Sequence, residues 1–285
     1  MNRLKNILRD GRAKAGVIII ALLVLISLLA PVIAPYAPDD MSFPNSEGPS
    51  REHLLGTTGL GQDILSQAIW GGRTSLLVGV ACGAVISFIS IVMGLLSGYL
   101  EGTLGQVLTM IINIFLVIPS LPLMIIIAAF LRIQSIMPVI LVISLTGWPW
   151  GARVLRAQVL TLKNREFVRA AKVTGESDFR IVFSEIMPNM LGLIAANFFG
   201  AALHGVLSEA GLEFLGLGNV SVVSWGTMLY WAQNHQALIH NQWIWVLTPG
   251  LLIASIGTAF GLLNFAIDQA VNPRIRRVTR ATEPA

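Results

Sequence analysis

Long stretches without any charged residue constrain this chain more than any other feature of its sequence. Asp, Glu, Lys and Arg are absent from six runs: Ala15–Pro38, Thr74–Leu100, Gly102–Leu131, Ile133–Ala152, Ile186–Ser208 and Phe214–Ile267. About 20 residues of α-helix cross the roughly 30 Å hydrocarbon core of a bilayer. Backbone groups in hydrocarbon must bond within their own segment, and continuous apolar runs of this length do so as helices. The sequence therefore predicts an all-α integral membrane protein with six transmembrane helices.

The charges and turn residues between the runs predict where each helix begins and ends. The last run is too long for one helix, and its first part is polar and glycine-rich, so only its end is predicted to span. The spans are predicted at about 17–34, 74–100, 106–131, 136–155, 186–208 and 243–267. The first is longer than the apolar core of a secretory signal peptide, about 7–15 residues, so we expect it to be retained. Residues 17–285 thus form one transmembrane domain after a short tail, 1–16.

The distribution of basic residues predicts the orientation, because cytoplasmic loops of membrane proteins retain Lys and Arg. Sixteen of the 19 basic residues lie in the amino-terminal tail, in the loop 156–185 and its flank, or in the tail 268–285. On the other side lie Arg51, Arg73 and Arg132. Both termini are therefore predicted to be cytoplasmic, with extracytoplasmic loops at 35–73 and 209–242. The basic charge indicates topology in the cell membrane and contact with anionic lipid rather than nucleic-acid binding.

Capping, turn and glycine patterns predict details at the ends and contacts of the spans. Asp63 is expected to cap a short amphipathic helix, to Trp70, that lies on the outer membrane surface. Glu101-Gly102 joins the second and third spans as a tight hairpin. Proline is expected to kink the third and fourth spans, at Pro119, Pro122 and Pro149. Small-residue spacing predicts close helix packing at Gly79/Gly83, Gly94/Gly98 and Gly257/Gly261.

One charged segment, Lys163–Pro188, stands apart from the rest of this apolar chain. Asn164 is expected to cap a helix, and apolar or small residues three and four apart form one face of it: Phe167, Ala170, Ala171 and Thr174. Gly175 ends that helix, and Ser177 with Asp178 starts a second one that leads to the fifth span. Because small residues allow another surface to approach closely, the segment is predicted to dock a cytosolic protein.

This segment resembles the EAA loop of permease subunits of bacterial and archaeal ABC importers. That loop combines an Ala-Ala pair, a glycine four residues later and a hydrophobic-hydrophobic-proline ending thirteen residues after the glycine. Here these are Ala170-Ala171, Gly175 and Ile186-Met187-Pro188. With Glu166-Phe167-Val168-Arg169 before them, they are most similar to the dipeptide/oligopeptide/nickel branch, of the DppC and OppC type.

The resemblance extends from the first span to Asn272-Pro273-Arg274, nearly the whole chain. Two further segments carry it: His53–Thr57 through Asp63, and Leu212–Gly218 followed by Ser224-Trp225-Gly226. Three positions depart from the family pattern. Arg169 occupies the place of the loop's naming glutamate, which Glu166 supplies one turn earlier. Thr58 and Gln62 stand where the branch commonly has Asp and Arg, so a role of that outer pair is not carried over.

The resemblance implies a type I ABC importer permease fold and a division of labour between subunits. The EAA loop then forms a cytoplasmic coupling helix on an ATP-hydrolysing subunit. The residues implied in coupling are Glu166, Phe167, Arg169, Ala170, Ala171, Gly175, Asp178 and Pro188. The implied partners are a second homologous permease subunit (DppB/OppB-like), two ATP-binding subunits and an extracytoplasmic substrate-binding protein. This chain is expected to be non-catalytic and to bind no metal or cofactor, with ATP and Mg held by the partner ATPase subunits.

Two polar residues are expected inside the fifth span. His204 is the one ionisable residue there, and Asn197 lies seven residues before it on the same helical face. Polar side chains at membrane depth are functional candidates by default. We therefore expect Asn197 and His204 either to line the translocation pathway or to form hydrogen bonds between helices. Glu209 and Glu213, near the end of this span, are open to a substrate role or a structural role.

Three classes of function compete for such a chain. A secondary transporter usually places carboxylates, Arg or Lys within its spans, and these spans lack them except near their ends. An intramembrane enzyme needs paired acids, an activated serine or metal ligands at membrane depth. The chain also has no G-x-x-x-x-G-K-[ST] phosphate loop of its own. The prediction is a permease subunit of an ATP-driven, binding-protein-dependent importer that moves di- or oligopeptides by alternating access. Oligosaccharides, glutathione and nickel chelates are the alternative substrates.

Overall fold

Helices form nearly all the regular structure of the computed structural model, which describes residues 10–131 and 135–271. The α-helices are α1 Gly11–Leu28, α2 Ala30–Ile33, α3 Ile64–Tyr99, α4 Gly102–Val117, α5 Ser120–Leu131, α6 Ile136–Leu162, α7 Glu166–Val173, α8 Asp178–Arg180, α9 Leu191–Phe214, α10 Trp225–Asn234 and α11 Trp243–Val271. No β-strand occurs among the described residues, so the all-α prediction is confirmed. Predictions that concern the first nine residues, Arg132 and the chain from 272 onward lie outside the described residues.

Five helical segments are long and apolar enough to cross a membrane, and α4 with α5 makes a sixth if the pair is one bent span. The five are α1, α3, α6, α11 and Asp178–Phe214, which includes α8 and α9. On this count the predicted six-span membrane fold is confirmed. The predicted kink in the third span is a sharp elbow, because α4 and α5 meet at 86°. Pro119 lies in this break, where its missing amide hydrogen and its ring prevent the helix from continuing.

The second span is a longer helix than the sequence predicts. Asp63 caps it as expected, accepting a hydrogen bond from a backbone amide of the first turn at 2.8 Å. The separate surface helix Asp63–Trp70 is wrong, because α3 continues without interruption through Gly71 and Gly72. Both glycines are buried, and an added Cβ at either would lie within 3.3 Å of Trp225. They therefore allow close packing rather than end a helix.

Several helices extend beyond the predicted spans for a common reason. α1 begins at Gly11 rather than 17, α6 runs to Leu162 rather than 155, and α9 runs to Phe214 rather than 208. A charged residue ends an apolar run, but Arg, Lys and Glu are good helix formers and do not end a helix. The predicted loop 209–242 also contains a helix, α10, which the polar composition of that stretch conceals.

The fifth span begins through an irregular passage rather than directly at residue 186. A π-helical turn, Ile181–Ile186, and a 3-10 turn, Met187–Met190, connect α8 to α9. Pro188 lies in the 3-10 turn and is exposed. Proline cannot donate the next helical hydrogen bond, so the backbone changes its bonding pattern here before regular α-helix resumes.

The central helix of the bundle is α3, which packs against α1, α4, α6, α9 and α10. A Cβ added to Gly83 would lie 2.9 Å from Cβ of Ala202 in α9. One added to Gly94 would lie 2.8 Å from the carbonyl oxygen of Ala152 in α6. Since real Cβ atoms do not approach that closely, glycine at these positions sets the distance between the helices. The predicted close packing at Gly79/Gly83 and Gly94/Gly98 is confirmed.

The third predicted glycine pair, Gly257/Gly261 in α11, does not pack in this way. A Cβ at Gly257 would make an ordinary contact, 3.5 Å from Leu203 in α9. At Gly261 it would meet no atom of another described segment within 4 Å. The tight-packing prediction is therefore wrong for this pair. Small residues four apart permit close contact but need a neighbouring helix, and α11 lies at the outside of the bundle.

The irregular segment between α2 and α3 folds into a small cap on one end of the bundle. His53 Nδ1 lies 3.0 Å from a carboxylate oxygen of Asp63, and both side chains are buried. Thr58 and Gln62, which depart from the family pattern, are buried as well. The Thr58 hydroxyl accepts a hydrogen bond from the backbone amide of Gln62 at 3.1 Å. The side-chain oxygen of Gln62 accepts one from the side chain of Gln67 at 2.9 Å. These two positions therefore stabilise the cap.

Glycine at the α3–α9 contact is expected to contribute to the stability of the fold. Gly83→Val would place a methyl group against Ala202, and such overpacking typically costs about 1–3 kcal/mol. Gly261→Val, a matched control in another span, meets open space. Thermal unfolding followed by fluorescence-detected gel filtration in detergent should show a lower midpoint for Gly83→Val and little change for Gly261→Val. Equal midpoints for the two variants would contradict the assigned α3–α9 packing.

Candidate coupling surface and central cavity

The predicted coupling helix, α7, is held to the bundle by one fully buried side chain. Val168 packs in a cluster with Leu95 of α3, Leu155 of α6 and Ile181 of the π-helical turn. Ala171 is half-buried against the same cluster. Phe167, Ala170 and Thr174, the other residues of the face predicted for docking, are exposed. The predicted docking face therefore points away from the bundle, and Val168, one residue from Phe167 and so about 100° round the helix, faces the bundle.

The ends of α7 are formed partly as the sequence predicts. Gly175 ends the helix with φ of +81°, a left-handed conformation that glycine adopts without strain. Ser177 caps α8, accepting a hydrogen bond from a backbone amide at 3.4 Å. The predicted cap at Asn164 is wrong, since Arg165 occupies that position. The Asn164 amide instead donates to the Leu160 carbonyl at 3.3 Å, which closes the end of α6.

Contacts with the last residue of α3 fix the turn between α7 and α8. The Tyr99 hydroxyl donates to a carboxylate oxygen of Asp178 at 2.7 Å. The ammonium group of Lys172 lies 5.2 Å from the centre of the Tyr99 ring, within range of a cation–π interaction. Arg180 and Glu176 form an ion pair at 3.0 Å across the turn. The segment is therefore attached to the central helix at both its helices.

Several predicted coupling residues face away from the bundle. Among the apolar side chains, Val173 is 88% exposed, Phe179 73% and Phe167 36%. Also exposed are Glu166, Arg169 and Ala170. We call these six residues the coupling surface. Large exposed apolar side chains on a charged segment make it a candidate for contact with another protein. Reasoning from sequence did not place Val173, the last residue of α7, or Phe179, in α8, among the coupling residues.

A central cavity of about 690 Å³ lies between the α4–α5 elbow, α6 and α9. Pro119 and Ser120 contribute from the elbow, Pro149 and Trp150 from α6. No Asp, Glu, Lys or Arg is among the described residues that line it. The cavity offers hydrogen bonds and apolar contact to a ligand, but no formal charge.

The two polar residues predicted inside the fifth span both line this cavity. The Asn197 side chain donates to the hydroxyl of Ser87 in α3 at 3.3 Å. His204 Nε2 lies 3.4 Å from the hydroxyl of Ser208, one turn along α9. Asn197 therefore takes part in the contact between helices that the sequence offered as the alternative, while its position also borders the cavity.

Two acidic side chains at the far end of α9 are buried among serines. Glu209 accepts a hydrogen bond from Ser75 of α3 at 3.2 Å, and Glu213 accepts one from Ser224. Neither Glu209 nor Glu213 lines the central cavity. The Ser224 hydroxyl also accepts from the amides of Gly226 and Thr227, both at 3.1 Å, which caps α10. Both carboxylates thus form hydrogen bonds within the fold, as expected of a structural role.

The capping box of α10 was the sequence signal that could have identified this helix. Ser224 and Thr227 have the required spacing of three residues, and each side chain bonds the backbone of the other.

Across the described parts of the chain, no group of three His, Cys, Asp or Glu side chains lies close enough to hold a metal ion. His235 contacts aromatic rings instead of other metal-ligating side chains, with its ring between those of Trp231 and Trp245.

Comparison with known proteins places these features in a family. Residues 90–277 match the family described as binding-protein-dependent transport system inner membrane component. Residues 4–51 match the N-terminal transmembrane domain of oligopeptide transport permease C. Together the two matched ranges include the α7–α8 segment and every span except most of α3.

Curated relatives align along almost the full chain. The oligopeptide transport system permease protein OppC of Bacillus subtilis is 31% identical over 267 residues, 93% of this chain and 86% of that protein. The dipeptide transport system permease protein DppC of Haemophilus influenzae is 33% identical, with 93% and 91% covered. The di/tripeptide transport system permease protein DppC of Pseudomonas aeruginosa is 34% identical, with 93% and 88% covered. The chain therefore belongs to the family of binding-protein-dependent transport system inner membrane components, as an ABC importer permease of the OppC and DppC type.

Proposed function

We propose that this permease imports di- or oligopeptides by alternating access, driven by ATP hydrolysis on separate subunits to which the coupling surface docks. One observation carries the proposal: Val173 and Phe179 are strongly exposed on a segment that is anchored to the central helix. Leaving such side chains in water is unfavourable, so a partner that covers them gains binding energy. The chain itself is non-catalytic in this proposal, and ATP with Mg stays on the partner subunits.

The coupling mechanism requires contacts that differ between two states, since nucleotide can shift an equilibrium only by its differential interaction with them. A partner that moves the α7–α8 segment acts on Tyr99 through Asp178 and Lys172. Tyr99 ends α3, and α3 contacts α6 and α9, which line the central cavity. A rigid α-helix transmits displacement along its length, so motion at the coupling surface changes the walls of the cavity.

The central cavity is the proposed peptide pathway, with Asn197 and His204 as its polar contacts. Peptide bonds need hydrogen-bond donors and acceptors, which amide and imidazole groups provide. Because the described lining has no charged side chain, no fixed charge would trap a charged terminus. The relatives named for oligopeptide, dipeptide and di/tripeptide transport favour peptide over oligosaccharides, glutathione and nickel chelates.

The assembly proposed has a second permease chain, two ATP-binding subunits and an extracytoplasmic substrate-binding protein. The α7–α8 segment, the start of α1 and the α3–α4 turn lie at one end of the bundle, where Lys163 pairs with Glu101 and Arg12 stacks on Phe265. The excess of basic residues at this end supports its assignment to the cytoplasm. Both termini are then cytoplasmic, and the cap faces the substrate-binding protein.

Placing a charge in the docking contact is expected to uncouple transport. In the assembled importer, Ala170→Glu should lower substrate-stimulated ATP hydrolysis and peptide uptake by at least about tenfold, because burying an unpaired charge at an interface costs several kcal/mol. Thr161→Glu is the matched control, since Thr161 is exposed at the same end of the bundle but lies on α6. Unchanged activity in Ala170→Glu, with normal assembly, would contradict the coupling surface.

Removing the tyrosine hydroxyl should weaken coupling without preventing assembly. Tyr99→Phe loses one hydrogen bond to a carboxylate, worth about 1.5–3 kcal/mol, and retains the ring under Lys172. We expect peptide import per ATP hydrolysed to fall about fivefold or more in proteoliposomes. Tyr36→Phe, which removes a 3.3 Å hydrogen bond in the cap, should leave the ratio unchanged. Equal ratios in the two variants would argue against the proposed route through α3.

The subunit composition provides an independent test. Purification through an affinity tag on this chain should recover a second, different permease chain and two ATPase chains, identified by native mass spectrometry. ATP-dependent uptake should require all of them, because the chain has no phosphate-binding loop of its own. Active transport by this polypeptide alone in liposomes would overturn the subunit assignment.

A further inference from the structure

A second groove, of about 880 Å³, lies beside the turn between α3 and α4. Its walls are α4 and the last turns of α6, and the end of α3 forms its floor. It contains no residue of the coupling surface and shares only Ile118 with the central cavity. The proposed import function assigns no role to this groove.

Two cations line the groove, Lys163 at the end nearest the coupling segment and Arg156 about 10 Å farther along, beside Thr109. Arg156 Nε donates to the Thr109 hydroxyl at 3.1 Å, and the other guanidinium nitrogens have no hydrogen-bond or ion-pair partner among the described residues. Lys163, whose side chain is 17% exposed, pairs at 3.2 Å with Glu101, which is 78% exposed and also lines the groove. Because the Glu101 carboxylate is open to solvent, it can turn away and leave Lys163 to another anion. Arg156 and Lys163 are seven residues apart on α6 and so lie on one face of it.

The other end of the groove is mostly apolar, with the amide of Asn113 as its polar group. Met110, Ile114 and Val117 of α4 line it and are all exposed. From Gln106, at the polar end, to Ile118 the helix rises about 18 Å at roughly 1.5 Å per residue. Half of the hydrocarbon core is about 15 Å thick. The groove therefore changes from cationic to apolar over the depth of one bilayer leaflet.

We propose that this groove binds an anionic phospholipid, with its phosphate between Arg156 and Lys163 and an acyl chain along Met110, Ile114 and Val117. Arg with free terminal nitrogens forms bidentate, charge-assisted hydrogen bonds with phosphate oxygens. Basic pockets between transmembrane helices are suited to lipid headgroups. An anionic phospholipid supplies one anionic group and a long apolar chain, which matches two cations followed by a described lining in which Asn113 is the one polar side chain beside Met110, Ile114 and Val117.

Native mass spectrometry of the assembled importer, titrated with phosphatidylglycerol, phosphatidylcholine or inorganic phosphate, tests this site. We expect retained phosphatidylglycerol, with little retention of phosphatidylcholine or of phosphate alone. The double substitution Arg156→Gln/Lys163→Gln should weaken phosphatidylglycerol binding about tenfold or more, the effect of losing charge-assisted hydrogen bonds. Arg153→Gln/Arg165→Gln removes the same charge from exposed positions outside the groove and should have little effect.

A second variant tests the apolar half without changing charge. Ile114→Trp fills the groove from an exposed position, so it should assemble normally and lose bound phosphatidylglycerol. Phosphatidylglycerol binding that survives both Ile114→Trp and Arg156→Gln/Lys163→Gln would overturn the proposal. Binding of inorganic phosphate as tight as that of the lipid would overturn it too.

Crosslinking distinguishes a lipid from a protein occupant. Val117→Cys provides an accessible thiol, because Val117 is exposed. The chain's own Cys82 is buried and should not react. A photoactivatable maleimide at this position should capture phosphatidylglycerol in the intact importer. Capture of the second permease chain instead would show that a protein covers the groove, and would reject the lipid site.

Discussion

The cost of placing charge in hydrocarbon decides where this protein can meet other molecules. Isolated charges near the centre of a bilayer cost several kcal/mol, so the spans are built from apolar and small residues and the charged groups collect at the ends of the bundle. Even the acidic residues on α9, Glu209 and Glu213, lie near its end and are bonded to serines. The α7–α8 segment, the cap and α10 therefore occupy the ends, and the central cavity is bordered by neutral polar groups.

The second consequence concerns α3, the helix on which the ends of the bundle depend. It has 36 residues and is about 54 Å long, so it extends well beyond the roughly 30 Å hydrocarbon core. Its first turn is fixed by the Asp63 cap, and its last residue, Tyr99, bonds Asp178 beside the coupling surface. Glycines bring α6 and α9 against it at distances that no larger residue allows. Cap, bundle and coupling segment are thus joined by one element.

Sequence reasoning succeeded where a single physical requirement dominates and failed where several elements compete. The spans follow from the need to bond the backbone in lipid, and the end of α7 follows from the left-handed conformation that Gly175 permits. The continuity of α3 through Gly71 was missed, because only the folded structure shows what packs against that glycine. The burial of Val168 in α7 was missed for the same reason, because it depends on contacts with three other elements of the fold. At Pro119 the sequence predicts a kink, and the structure has an 86° elbow between two separate helices.

A single helix, α6, relates the three candidate sites to one another. Trp150 borders the central cavity, Arg156 borders the second groove, and Lys163 begins the segment that carries the coupling surface. Pro149 lies inside this helix, and the preceding carbonyl, that of Trp148, accepts a hydrogen bond from the Ser90 hydroxyl of α3 at 2.8 Å. Proline leaves one carbonyl of the preceding turn without its helical donor, so bending at this level is less costly than elsewhere. The part of α6 beyond Pro149 is therefore the part that a displacement of Lys163 moves most easily, and both the cavity and the groove lie along it.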